Sequence, residues 1–127
     1  MIKYTERQFN LELTRDFFKF RQIPYRIFEI DKIINKMALL SRNISSREAT
    51  SRILLLMKSK DNLILKYKKF EKMFNMLTEE ILKILHLVNS GYSYNYIAKC
   101  SNVSMRTIVR KISNANKKYI RWKNGKI

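Results

Sequence analysis

The chain is poor in the residues that break, cross-link or ligate. In 127 residues it has one cysteine, one proline, two glycines and one histidine. A lone cysteine, Cys100, excludes an intramolecular disulfide and fits a reducing compartment. A lone histidine, His86, distant in sequence from Cys100, gives no metal-ligand spacing, so it reads as a surface or packed side chain. So few glycines and prolines argue against a turn-rich β fold and for helices. No Gly-rich phosphate loop and no H-E-x-x-H run is present. Asp16, Glu29 and Asp31 stand in an ordinary charged context, so no enzyme, cofactor or metal is expected. The longest purely apolar run is Ile53–Met57, and no basic-then-apolar leader opens the chain. Neither a signal peptide nor a membrane span is expected, which points to the cytoplasm.

Acidic residues are scarce too, with 10 against 27 basic ones, for a formal net charge of +17. By segment the net charge is +3 over residues 1–40, +6 over 41–74 and +8 over 75–127. The gradient rises toward the C-terminal end, as expected if that end meets a polyanion. A cationic membrane-surface peptide is the rival, but no helix pairs a polybasic face with a wholly apolar one. An abundance of Lys, Ile and Asn also accompanies AT-rich genomes. Hydrophobic content of 46% lies in the globular range and excludes wholesale disorder.

The strongest local signals fall between Leu77 and Trp122. Thr78 reads as a helix N-cap with Glu79 and Glu80 in the first turn, where carboxylates favour the positive end of the dipole. Leu77 and Leu82 have the spacing of a hydrophobic staple. Ile81, Leu82, Leu85 and Val88 form an apolar stripe, and Gly91 stops the helix. Ser93 caps a short second helix with Ile97 and Ala98 inward. Ser101 and Asn102 make a tight turn, since Asn tolerates left-handed geometry. Ser104 caps a third helix with Ile108, Ile112, Ala115, Tyr119 and Trp122 inward. The expected fold is all-α, a helical bundle of six or seven helices ending in a tri-helical helix-turn-helix.

The third helix has a second face, formed by Met105, Arg106, Val109, Arg110 and Ser113. Two arginines near a helix N-terminus on an exposed face suit base edges in the major groove. A solvated basic face on a bundle helix is the plain alternative. Candidate phosphate contacts are Ser93, Tyr94, Lys99, Ser104, Thr107, Lys111, Lys117, Lys118 and Arg121. Tyr96 reads as core and rim, and Cys100 as a core residue, with redox sensing as the alternative. Trp122 reads as the last seam residue rather than a base-stacking platform.

Here the chain resembles a known family. Gly91, Ser93, Ile97, Ala98, Val103, Ser104, Thr107 and Ile108 reproduce the G-x-S…I-A…[IV]-S-x-x-T-[VI] pattern of LuxR-type domains and of region four of bacterial sigma factors. Asn114 and Lys118 sit where LuxR-type domains carry N-I-x-x-K-L. The resemblance covers roughly the C-terminal two-fifths of the chain. Three positions depart from it: Ser101 replaces a usual Leu, Tyr96 a usual Glu, and Val109 a frequent basic residue. The chain ends at Ile127, short of the fourth helix through which many LuxR-type domains dimerise. That favours the sigma side, including the short sigma-like activators of late phage genes (ArpU- or RinA-like). The resemblance implies double-stranded DNA as partner and an added contact with bacterial RNA polymerase.

The N-terminal half reads as helical and of unclear role, which divides the chain at 1–74 and 75–127. Phe9, Leu13, Phe17 and Phe20 fall at helical spacing over residues 5–21, with Thr5 as cap, although Asn10–Thr14 also alternates like a short strand. Pro24 is expected to break this element or open the next. A second helix runs from Tyr25 or Asp31 to about Ser41, with Ile30, Ile33, Ile34, Met37 and Leu40 inward. Ser45 and Glu48 have capping-box spacing and start a helix carrying Ile53, Leu54, Leu56 and Met57. After a polar break at Ser59–Asn62, another helix carries Leu63, Tyr67, Phe70 and Phe74; a hairpin across Lys60-Asp61-Asn62 is the alternative. Arg42, Arg47, Arg52 and Lys58 offer further phosphate contacts or a solvated face. Any homodimer is expected to form through this half.

The reading that unites these features is a sequence-specific DNA-binding transcription regulator, nucleoid-associated, from a bacterium or a phage-infected cell. The rival is a protein-interaction module, such as an anti-sigma or polymerase-binding regulator, that docks through the helix-turn-helix. An RNA-binding role lacks both a sheet of stacking aromatics and a G-x-x-G loop.

Overall fold

A computed structural model of the chain describes residues 11–40 and 46–125. Those residues form five helices and no strand: α1 (Glu12–Leu40), α2 (Ser46–Phe74), α3 (Glu79–Asn89), α4 (Tyr94–Cys100) and α5 (Met105–Lys123). The all-α class is as expected, but two expected breaks are absent. Phe9, the Thr5 cap, Asn10, and the Ser41 and Ser45 ends lie outside the described residues.

Pro24 does not end the first helix, because α1 runs through it. An interior proline leaves the carbonyl four residues back without its donor, at about 3 kcal/mol. What opposes that cost is one uninterrupted seam of inward residues, Phe20, Ile23, Ile27, Ile30, Ile34 and Met37, alternating three and four apart. Ile23 beside the proline is buried, whereas Pro24 itself lies on the exposed side. Likewise α2 continues through Ser59–Asn62, which excludes both the break and the hairpin. Ala49, Ile53, Leu56, Lys60, Leu63 and Tyr67 keep the same spacing, while Ser59, Asp61 and Asn62 fall on the outer side. Such a repeat is the seam of paired helices.

The chain forms two compact units. One is Phe20–Lys69, and within it the two helices run antiparallel. Phe20 stacks on Tyr67 with ring centroids 4.7 Å apart. Further along, Lys60 Nζ meets Asp31 Oδ1 at 2.8 Å, so partners rise on one helix as they fall on the other. Several residues expected inward are exposed instead: Ile33, Leu40, Leu54 and Met57. The seam positions of a two-helix pair are narrow, and these four lie beside them.

The other unit joins the described residues up to Lys19 with those from Phe70 onward. Its core holds Leu13 and Phe17 of α1, Phe70 and Phe74 of α2, and inward residues of α3, α4 and α5. Phe17 meets Phe74 edge-on at 5.2 Å, and Phe74 stacks on Tyr119 at 5.5 Å. Residues 12–19 and 70–74 therefore share a core with α3–α5.

Candidate nucleic-acid interface

The three C-terminal helices are set by their caps. Thr78 Oγ1 accepts from Ile81 N at 3.3 Å, Ser93 Oγ from Tyr96 N at 3.1 Å and Ser104 Oγ from Thr107 N at 3.2 Å. Each cap leaves the chain extended just before the helix, with φ near −70 and ψ near 155. Gly91 takes φ 98 after α3, and Asn102 takes φ 57 between α4 and α5. Those left-handed positions turn the backbone sharply, which only Gly and a few residues such as Asn tolerate. Ile81, Ile84, Leu85 and Val88 of α3 are buried, with Leu82 only half-buried and Leu77 in the core. Ile97 and Ala98 of α4 and Ile108, Ile112, Ala115 and Tyr119 of α5 complete the packing, with Trp122 half-buried.

Burying that side of α5 leaves the other side outward. Met105, Arg106, Val109 and Arg110 are all exposed over the first two turns, and Ser113 is half-buried one turn further. Arg106 and Arg110 make no ion pair among the described residues. Ser104 is exposed, and its hydroxyl also meets Thr107 Oγ1 at 2.9 Å, so both are held at the entry of the helix. Ser93 is half-buried at the start of α4. Lys99, Lys117, Lys118 and Arg121 are exposed.

One candidate phosphate contact is corrected. The Tyr94 hydroxyl is buried without a hydrogen-bond partner among the described residues, and burial pushes its pKa up to about 12. It is not offered to a phosphate. Lys111 is engaged with the carboxylate of Glu80 on α3. Cys100, expected in the core, is exposed. The inward face of α4 is spent at Ile97 and Ala98, and Cys100 follows Tyr92 and Tyr96 at intervals of four. Tyr92 and Tyr96 stack at 4.9 Å, and a hydrogen bond with the Cys100 side chain raises the Tyr96 pKa. His86 is exposed, with its ring edge-on to Phe17 at 5.0 Å.

A set of contacts that the sequence did not foretell ties the far half of α5 to the start of α1. Asn116 Oδ1 accepts from Leu13 N at 2.9 Å, satisfying a backbone donor that the first turn of a helix leaves open. Tyr119 donates to Asp16 Oδ2 at 2.7 Å, and Lys123 Nζ reaches Asp16 Oδ2 at 2.8 Å and Glu12 Oε1 at 2.6 Å. Burial, then the bond to Asp16, raises the Tyr119 pKa. Burial pulls Lys123 down, but its bonds to Asp16 and Glu12 outweigh that and leave it raised. The available signal was an acid at an inward position, since Asp16 stands between Leu13 and Phe20 on the seam.

Among the described residues no group of three His, Cys, Asp or Glu could hold a metal ion. No helix there is long and apolar enough to cross a membrane. A shallow cavity of about 250 Å³ lies beside α5, walled by Leu77, Ile81, Ala115 and Trp122 with Lys111 and Lys118 at its edge. No protein-family model, curated protein or solved structure matches the chain.

Proposed function

We propose that the protein is a sequence-specific DNA-binding transcription regulator whose α3, α4 and α5 act as a helix-turn-helix. The observation that carries this reading is the two-sidedness of α5. Its inward face is buried while Met105, Arg106, Val109 and Arg110 stand exposed just past the Ser104 cap. A helix N-terminus whose arginines make no ion pair among the described residues suits entry into the major groove, where Arg fits guanine O6 and N7. Lys99, Lys117, Lys118 and Arg121 supply phosphate contacts that set position and affinity without reading sequence. The resemblance to sigma region four adds a contact with bacterial RNA polymerase, in the cytoplasm of a bacterium or a phage-infected cell.

Selection from random duplexes tests the proposal: one enriched motif is expected, and no enrichment refutes sequence-specific binding. On the selected site, four neutralised phosphates give a slope of log affinity against log salt of about −3 to −4. A nearly salt-independent complex would contradict these phosphate contacts.

A further inference from the structure

Two short rows of side chains run side by side along the outward face of α5. Met105 and Val109, four residues apart, make an apolar row. Arg106 and Arg110, each the next residue in the chain, make a basic row beside it. Met105 is 50% exposed and Val109 36%. Among the described residues of their unit, no large hydrophobic side chain is more exposed than Met105. A single exposed apolar residue is ordinary on a protein surface, so the surroundings decide what these two do. From Ile81 to Ile127 the sequence has no acidic residue. Whatever covers the apolar row must therefore be anionic around it and still present an apolar group.

The major groove of DNA meets both demands. Thymine carries a C5-methyl group on its groove edge, and guanine carries the O6 and N7 acceptors that suit arginine. The spacing fits as well. Four residues of helix rise about 6 Å, close to the roughly 7 Å of two base-pair steps. Given α5 in the major groove, as proposed above, we infer that Met105 and Val109 read thymine methyl groups beside the guanines taken by Arg106 and Arg110. The target site then combines thymine with guanine, its two methyl contacts lying about two base pairs apart. Val109 is branched at Cβ and stiff, so it is the stricter reader. Met105 is flexible and tolerates more variation at its base pair.

The test measures affinity of the full chain for the duplex enriched from random DNA, with each thymine replaced in turn by deoxyuridine. That change removes only the C5-methyl group. At one or two thymines beside guanine, it is expected to weaken wild-type binding about fourfold, as for one buried carbon group. Val109→Ala is expected to weaken binding to the thymine duplex and to abolish the deoxyuridine effect at one position. Met105→Ala is expected to reduce it at the other. Arg106→Ala is expected to weaken both duplexes and keep their ratio. The ratio reports only molecules that bind, so partial unfolding of a variant does not imitate the result. Wild type that binds every deoxyuridine duplex as tightly as the thymine duplex would overturn the inference and leave the DNA reading standing. So would a deoxyuridine effect undiminished in both Val109→Ala and Met105→Ala. Failure to enrich any duplex would refute the DNA reading, and this inference with it.

Discussion

The hydroxyl of Tyr94 is buried with no partner among the described residues, and a buried hydroxyl left unpaired costs about 1–3 kcal/mol. Tyr94→Phe removes the oxygen and keeps the ring, so it is expected to raise stability by about 1 kcal/mol in chemical denaturation. Affinity for duplex DNA is expected to stay unchanged; a several-fold weaker complex would show that the hydroxyl does reach a phosphate. Tyr119 is the opposite case, since its buried hydroxyl is matched to Asp16 at 2.7 Å. Residues read from caps and turns were legible at this scale: Thr78, Ser93, Ser104, Gly91 and Asn102 obey rules that reach only three or four positions. Asp16, Asn116 and Lys123 were not. Their partners lie over a hundred positions away in sequence, and no local spacing encodes that meeting.

At the scale of elements, continuity depends on what a helix packs against. Pro24 and the Ser59–Asn62 stretch carry strong local signals for ending a helix, yet α1 and α2 pass through both. The inward seams on either side stay in phase, and breaking the helix at either point would forfeit half of each seam. Pro24 is thus tolerated at a cost, and Pro24→Ala is expected to stabilise the protein by about 1–3 kcal/mol in denaturant melts. Destabilisation would mean that the ring itself is needed where it sits. The same reasoning explains why α3, α4 and α5 were legible nearly to the residue. Their lengths are short, their caps strong, and their local signals agree with their packing.

At the scale of the whole molecule, the unit that holds α3–α5 also needs α1 residues such as Leu13, Asp16 and Phe17. Its stability should respond to alkali. Tyr119 and Lys123 have ordinary values of 10.0 and 10.5, and both are raised in the fold. For such groups the folded state holds its protons more tightly. Their contribution is fully present below about pH 10 and is lost as pH rises through the raised values. Tyr94, raised from 10.0 to about 12, acts in the same sense. The melting temperature should therefore be insensitive to these groups from pH 7 to 9 and fall above pH 10; a rising Tm there would contradict the Asp16 network. The central question is whether α5 reads bases or merely carries charge. Arg106 lies in the first turn of α5 and Lys118 about three turns further along, both exposed. The decisive measurement is the affinity of Arg106→Ala and Lys118→Ala for the selected site and for random duplex, side by side. Arg106→Ala is predicted to lose about 1–3 kcal/mol on the selected site and almost nothing on random DNA. Lys118→Ala is predicted to weaken both alike and flatten the salt slope by about one unit. Equal losses on both duplexes for Arg106→Ala would contradict base reading by α5 and favour a protein-docking surface in its place.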